Sequence, residues 1–175
     1  GLINDDVLSI MLANVRMPEQ NWGDLKAQIA AMNTGERRVH EMIAKFGVET
    51  FKEGTADLLD YAERQARAIL RDLPDGEYVF NDYMDEDVAE GYPCRIALKM
   101  TIDGDDLLFD FTGSDPQIEG SVNIPTGGEV RHVLMMIGLV YVLYSLDKRL
   151  FLNAGIARIC RCILPSGSIV NPDFP

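Results

Sequence analysis

The residues best suited to chemistry lie together in one stretch, residues 110–123, which reads DFTGSDPQIEGSVN. It combines carboxylate, hydroxyl and amide side chains with two glycines and a proline, and it follows a run of alternating apolar residues. Loops of this composition that extend from a rigid sheet often carry binding or catalytic sites. We therefore expect these polar side chains either to border a cleft or to cap the loop by bonding to its own backbone.

A β-hairpin is expected to position this loop. Apolar and polar residues alternate from Cys94 to Ile102, and Asp103-Gly104 is a strong signal for a two-residue turn. With that turn, Met100 would pair with Leu107, and Asp110 would lie opposite Ala97. Asp110 would then be either a cross-strand partner of the neighbouring basic residues or a group with a chemical role.

Helical periodicity dominates the first half of the chain. An Asn4 cap begins the first helix, and Pro18 is expected to end it. A second helix is predicted from Asp24 to Gly47, and a third from Val48 to Leu73.

The second half of the chain alternates between strand and helix patterns. Beside the hairpin, we predict a strand over residues 77–84, an apolar helix over 129–146 and a strand over 156–164. The predicted fold class is α+β, in which a helical region (residues 1–74) precedes a mainly antiparallel sheet region (residues 75–175) with one long apolar helix.

Composition excludes several classes of partner. A net charge of −12 argues against binding to nucleic acid or to an anionic membrane surface. The apolar run over residues 133–146 is too short for a membrane span, which needs about 20 residues. Three cysteines without a CxxC pair indicate a reducing, cytoplasmic setting, and Cys160 and Cys162 are predicted to be buried strand residues.

No metal site is predicted. His40 and His132 are far apart and form no HxH or HExxH pattern. The acidic segment over residues 81–87 lacks the glycine and the spaced glutamate of a calcium-binding loop, so we expect it to be solvated.

Four blocks of sequence, taken in order, resemble the hydantoinase B/oxoprolinase family, which includes the B-type component of N-methylhydantoinase, 5-oxoprolinase and the large subunit of acetone and acetophenone carboxylases. The blocks are Asn14–Pro18 with Trp22–Gln28; Asp110–Gln117 with Gly120 and Asn123; Asn153–Gly155 with Arg158; and Pro165–Ser168 with Asn171 and Pro172. The sequence departs from the family pattern at Ile159, where proline is usual, and at Asp115, where serine is common.

This resemblance implies a large cytoplasmic subunit that works in a hetero-oligomer with a hydantoinase A-type subunit. That partner would bind ATP and Mg, and the pair would phosphorylate a carbonyl or enolate oxygen of a small-molecule substrate. The outcome would be hydrolysis of a cyclic amide or carboxylation of a ketone. A Mn or Zn ion would be held by residues ahead of this sequence, which would make the chain an internal fragment.

The resemblance also assigns candidate site residues. Arg16, Asp24 and Asp110 are the candidate catalytic residues; the candidate substrate-binding residues are Asn14, Thr112, Ser114, Asp115, Asn123, Asn153 and Arg158. Arg16 would hold an oxyanion by a bidentate contact or would form a buried salt bridge with Asp24. In the alternative interpretation, the segment is a scaffold that docks the ATP-binding subunit without taking part in the chemistry.

Overall fold

A computed structural model of the chain describes residues 2–85, 93–120 and 122–173. The chain forms two compact units, Gly1–Gly54 and Thr55–Pro175. The boundary between them falls within the third helix, whereas the sequence suggested a division at residue 74. Residues 86 and 87 of the acidic segment lie outside the described residues.

The first unit is helical. Helix α1 spans Asp5–Ala13, and the Asn4 side chain caps it by accepting hydrogen bonds from the backbone N–H groups of Asp6 and Val7, both at 3.1 Å. Helix α2 spans Pro18–Phe46. The expected start at Asp24 is therefore wrong. Pro18 occupies the first position of the helix, where its fixed φ fits and its missing N–H costs nothing.

Helix α3, Val48–Arg71, begins in the first unit and continues into the second. Gly47, with φ of 82°, separates it from α2. Ala62, Ala66 and Leu70 are buried at four-residue spacing, so one stripe of α3 joins the hydrophobic core of the second unit.

A four-stranded sheet forms the centre of the second unit, in the order β1-β2-β3-β4. Its strands are β1 (Gly76–Met84), β2 (Cys94–Asp103), β3 (Asp106–Asp110) and β4 (Cys160–Ile163). The first three strands pair antiparallel, and β4 pairs parallel with β3. The helical first half and the mixed sheet confirm the α+β class.

The hairpin forms with a different register from the one expected. Asp103 pairs with Asp106, so Gly104 and Asp105 form the turn. Gly104 has φ of 61°, and no residue other than glycine has positive φ in the described part of the chain. A two-residue turn at Asp103-Gly104 would require Asp103 to adopt a positive φ. A turn that starts at Gly104 puts the positive φ on the glycine instead, where it has no steric cost.

The corrected register moves every pair by two residues, so Met100 pairs with Phe109 rather than with Leu107. Asp110 lies opposite Lys99 rather than Ala97. Side chains along a strand alternate between the two faces of the sheet, so a shift of two residues leaves every side chain on its expected face. Leu107 and Phe109 are buried in the core, and Lys99 and Asp110 lie on the outward face.

Two later elements begin at other positions than the sequence suggested. The expected strand over residues 156–164 is wrong in its first half, where a 3-10 helix spans Ala154–Ile159 ahead of β4. The Asn153 side chain accepts a hydrogen bond from the Gly155 N–H and so caps that helix. Helix α4 spans Val133–Leu146, and turns that include Gly127 and Gly128 occupy the preceding residues.

The core of the second unit joins one face of the sheet to the helices. Met136, Leu139 and Leu143 of α4 are buried in it, and so are Cys160 and Cys162 of β4, as predicted. Among the described residues, no helix is both long and apolar enough to cross a membrane.

Candidate functional site

The loop that follows β3 is fixed to β2 by two of its own side chains. The Ser114 hydroxyl accepts a hydrogen bond from the Ala97 N–H at 3.0 Å and donates to the Ala97 carbonyl at 3.2 Å. The Asp115 carboxylate accepts from the Arg95 N–H at 2.8 Å, and the Asp115 N–H donates to the Arg95 carbonyl at 2.9 Å. These contacts continue the strand pairing beyond Asp110, where β3 ends.

Gly113 permits this close approach. A Cβ atom at position 113 would lie 3.0 Å from the Cβ of Ala97, which is tighter than ordinary van der Waals contact. The glycine therefore lets the loop cross directly over β2.

The far end of the loop is closed by Asn123. Its side chain accepts a hydrogen bond from the Ile118 N–H at 3.1 Å and donates to the carbonyls of Ile118 and Gly120 at 2.8 and 3.2 Å. Ser114, Asp115 and Asn123 thus all bond within the fold, which agrees with the expectation that the loop is capped by its own side chains.

A second turn supports the loop from outside. The Gln117 N–H donates to the Gly167 carbonyl at 2.8 Å, and the Ile169 N–H donates to the Asp115 carbonyl at 3.0 Å. Gly167, with φ of 73°, forms the turn that makes this contact possible. The second and fourth sequence blocks are therefore neighbours in space.

Asp110 and Thr112 border a cavity of about 340 Å³ on the outward face of the sheet, which we call the loop cavity. Its other polar lining residues are Asn81, Arg95 and Lys99. The sheet register accounts for this arrangement, because Asn81 pairs with Ala97 and Lys99 pairs with Asp110. Acid, base, amide and hydroxyl side chains therefore meet at one place.

Asp110 is ionised at neutral pH. Hydrogen bonds from the Thr112 hydroxyl and the Thr112 N–H, the latter at 2.9 Å, lower the pKa of Asp110, and the charge of Lys99 acts in the same direction. A carboxylate with a lowered pKa is a weak base but a good hydrogen-bond acceptor. The geometry therefore suits Asp110 to hold a donor group rather than to remove a proton.

Arg95, which lies on β2 beside Asp115, has a side-chain donor without a partner. Its Nε atom is buried and is the one buried side-chain nitrogen or oxygen in the described part of the chain that lacks a hydrogen-bond partner. The terminal guanidinium nitrogen lies 3.7 Å from the Asp115 carboxylate, and Lys99 Nζ lies 3.4 Å from Glu77. Arg95 and Lys99 were not predicted as site residues, although their alternation with the core residues of β2 puts them on the same face of the sheet as Asp110.

The candidate residues of the first block lie in the other unit. The Asn14 amide donates to the Ile10 carbonyl at 2.7 Å and so closes the end of α1. Arg16 and Asp24 are exposed, and neither has an ion pair within the part of the chain that the structure describes. The alternative of a buried salt bridge between Arg16 and Asp24 is therefore wrong.

Asn153 and Arg158 attach the 3-10 helix to α3. The Asn153 amide donates to the Leu58 carbonyl at 2.9 Å, and Arg158 binds Asp60 at 2.6 Å and Glu63 at 3.2 Å. Arg158 also borders a second cavity, at the hairpin end of the sheet. The structure thus does not bring these two residues to the loop cavity.

Within the residues that the structure describes, no group of three His, Cys, Asp or Glu side chains could hold a metal ion. Cys160 and Cys162 are buried and form no disulfide with any described residue. A hydrogen bond with Cys162 and burial both raise the pKa of Cys160, which keeps that thiol neutral.

A family model described as hydantoinase B/oxoprolinase matches residues 1–175. The chain belongs to the hydantoinase B/oxoprolinase family. The chain spans less than a third of the length of the relatives described here. It is 34% identical over 184 residues to the B subunit of a putative D-/L-hydantoinase of Pseudomonas sp. (strain NS671), covering 100% of this chain and 31% of that protein.

Two further members extend the comparison. The beta subunit of the caprolactamase of Pseudomonas jessenii is 32% identical over 180 residues, covering 100% of this chain and 29% of that protein. The 5-oxoprolinase of Dictyostelium discoideum is 30% identical over 184 residues, covering 99% of this chain and 14% of that protein.

The fold is also shared with a solved member of the hydantoinase B/oxoprolinase family. The crystal structure of the ATP-dependent caprolactamase from Pseudomonas jessenii matches with a TM-score of 0.78 and 30% identity, covering 100% of this chain and 29% of that chain. Within the family, the chain therefore corresponds to a segment of a longer polypeptide.

Proposed function

We propose that the chain is part of the B-type subunit of an ATP-dependent enzyme that hydrolyses a cyclic amide. The observation that carries the proposal is that relatives of 30–34% identity are named for hydantoin, caprolactam and 5-oxoproline. These compounds share a ring amide, and the solved relative is described as ATP-dependent.

The loop cavity offers chemistry that matches a ring amide. The amide group of such a ring presents an N–H donor and a carbonyl acceptor side by side. The Asp110 carboxylate can accept from the N–H, while the Lys99 ammonium, which lies opposite Asp110 in the sheet, can face the carbonyl oxygen. A volume of about 340 Å³ suits a small ring.

The proposal includes a partner and cofactors that this chain does not supply. ATP and Mg would be bound by a hydantoinase A-type subunit, and a Mn or Zn ion would be held by residues of the B-type subunit outside this sequence. Two of the relatives are themselves named as one subunit of an enzyme, which supports a hetero-oligomer. The three cysteines form no CxxC pair, which favours a cytoplasmic location.

A scaffold role is the second candidate. It is favoured by the hydrogen bonds and ion pairs that already engage Ser114, Asp115, Asn123, Asn153 and Arg158 within the fold. In this case, the loop and the 3-10 helix shape a docking surface for the ATP-binding subunit, and the reacting groups lie elsewhere in the complex.

The full-length subunit, assembled with its ATP-binding partner, tests these proposals. ATP-dependent ring opening of 5-oxoproline, hydantoin or caprolactam would support amide hydrolysis, and ATP-dependent consumption of acetone and bicarbonate would instead show ketone carboxylation. Arg16→Ala and Asp110→Ala are then compared with Asp57→Ala, an exposed control on α3. Lost turnover with intact assembly supports a place in the substrate site, and lost assembly supports the scaffold.

A further inference from the structure

Strand β1 lies at one edge of the sheet, and its outer side is open. In the part of the chain that the structure describes, β2 is its one hydrogen-bonded neighbour. Proteins commonly protect such an edge by shortening the strand, by a bulge, or by lysine or proline on it. β1 has nine residues, pairs with β2 without a break from Gly76 to Met84, and contains neither lysine nor proline. Its one inward-pointing charge, on Asp82, lies near the end of the strand.

The inner face of β1 lacks the cover that the rest of the sheet has. Tyr78 pairs with Met100 and Phe80 pairs with Leu98, so both aromatic side chains lie on the same face as the buried Ile102. Leu98 and Met100 are only partly buried against the core. Phe80 is 68% exposed and Tyr78 is 41% exposed. The packing of the described residues therefore stops short of β1.

Two features of β1 thus call for the same neighbour. Its backbone has a free hydrogen-bonding edge, and Phe80 exposes a large apolar ring beside that edge. A strand added along β1 would complete the ladder, and the Cβ atoms of its inward-facing side chains would lie about 4.5–5.5 Å from those of β1. We propose that a fifth strand pairs with β1 in the full-length subunit, and that it comes from the same polypeptide, outside residues 1–175.

The side chains of β1 specify the chemistry of this strand. Opposite Tyr78 and Phe80 it should carry apolar residues, because a polar residue would leave the aromatic rings beside water. The Asp82 carboxylate accepts a hydrogen bond from the Tyr83 N–H at 2.9 Å and has no ion pair with any described residue. We therefore expect an alternating strand that carries lysine or arginine opposite Asp82, two positions from the residue opposite Phe80.

The same polypeptide is favoured over a second copy of the chain. The matched segment spans 31% of the hydantoinase B subunit and 29% of the caprolactamase beta subunit, so more than two thirds of each relative lies outside it. Pairing of β1 with β1 of a second copy would bring Glu77 and Asp82 of both copies together with no basic residue on either strand. The net charge of −12 also opposes self-association.

The same polypeptide is also favoured over the partner subunit. A strand supplied by the partner would leave the edge of β1 open until assembly, and an open apolar edge promotes aggregation. A segment of the same chain is instead held near β1 at a high effective concentration.

Hydrogen exchange of the full-length subunit, without its partner, tests the proposal. In an edge strand, alternate amides point away from the neighbouring strand and exchange quickly, whereas every amide of an interior strand is hydrogen-bonded. Measured residue by residue, all amides from 77 to 83 should exchange at least about a hundredfold more slowly than those of an unstructured peptide. Fast exchange at alternate residues, with and without the partner, would overturn the proposal. Protection that appears only with the partner, or is lost on dilution, would overturn the choice of occupant.

A photo-crosslinker at position 80 identifies the occupant directly. Benzoylphenylalanine in place of Phe80 should form an intramolecular cross-link to a peptide outside residues 1–175. A cross-link to a second copy, to the partner subunit or to a peptide within residues 1–175 would overturn the assignment.

Phe80→Ala measures the cover of the inner face without a probe. Its Tm in the full-length subunit should fall several degrees further than that of Tyr83→Ala. Tyr83 is the matched control because it is an aromatic residue of the same strand, lies on the opposite face and is 57% exposed. Equal Tm values for the two variants would contradict cover of the inner face. None of these measurements depends on turnover of a cyclic amide.

Discussion

The Ser114 hydroxyl forms hydrogen bonds with both the N–H and the carbonyl of Ala97. One serine side chain thus provides the two hydrogen bonds that the backbone of a neighbouring strand would otherwise make with β2. β3 ends at Asp110, four residues earlier, and the chain has by then left the regular ladder. The serine keeps the backbone of Ala97 satisfied while the loop diverges. The position of Asp110 and Thr112 over the loop cavity depends on this contact.

Ser114→Ala should therefore destabilise the protein by about 1–3 kcal/mol, because the Ala97 N–H loses its partner. Hydrogen exchange should show faster exchange of the Ala97 amide and of the loop amides. Ser145→Ala is a matched control, since the Ser145 hydroxyl is exposed and bonds only to the Val142 carbonyl of its own helix. Unchanged exchange at Ala97 would contradict the role assigned to Ser114.

Gly155→Ala should destabilise the protein by about 3 kcal/mol or more. A Cβ at this position would lie 2.0 Å from the Leu59 carbonyl oxygen, and backbone atoms of α3 have little room to move. Thermal unfolding of the full-length subunit should show a clear decrease in Tm. Gly138→Ala in α4 is the matched control, because nothing lies within 4 Å of its Cβ and alanine favours a helix. Equal Tm values for the two variants would refute the close packing.

Under the proposed function, Asp110→Asn should lower kcat/KM for the cyclic amide roughly tenfold or more, because the loss of a charged hydrogen-bond acceptor costs about 1.5–3 kcal/mol. The amide oxygen of asparagine can still accept from Thr112, so the loop should remain in place. Since hydrogen bonds from Thr112 lower the pKa of Asp110, the residue is ionised throughout pH 5 to 8. The ratio of kcat/KM between the wild type and Asp110→Asn should therefore be constant over that range. A ratio that varies with pH would show that Asp110 titrates as a base. Asp57→Asn serves as the exposed control.

Asp105→Asn should reduce stability at neutral pH but not in acid. The hydrogen bond with Arg71 lowers the pKa of Asp105, and the charge of Arg67 adds to this effect. A lowered folded-state pKa gives stability that is complete above the unfolded value of about 3.9 and disappears as the pH falls through the folded value. The Tm difference between the wild type and the variant should therefore be largest at pH 7 and should vanish near pH 2. A difference that persists in acid would contradict the ion pair.

Local sequence pattern predicted much of the sheet and loop. Alternation placed Leu107 and Phe109 in the core and Asp110 on the opposite face, and this holds although the turn lies one residue further along. A register error of two residues changes partners but not faces. The position of the turn was not predictable from the dipeptide Asp103-Gly104. The dipeptide does not show whether Gly104 is the first or the second residue of the turn.

The two cavities show why the rest was not predicted. Lys99 and Asp110 are eleven positions apart but belong to one hairpin, so pattern alone could have joined them. Arg67, Arg131 and Arg161 come from α3, from the turn before α4 and from β4, and no spacing in the sequence connects them. Their meeting depends on tertiary packing. The 3-10 helix was missed because Asn153 and Gly155 act through contacts with α3 rather than through periodicity.

Helix α2, described over all of its 29 residues, contains no buried residue and exposes Met32, Val39, Met42 and Phe46. Complete burial of a fully exposed apolar side chain gains about 1.5–3 kcal/mol, and these half-exposed side chains would gain part of that. Residues 1–54 produced as an isolated peptide would therefore tend to aggregate or to attract detergent. We therefore expect a longer piece of the protein to be better behaved in solution than residues 1–54 alone.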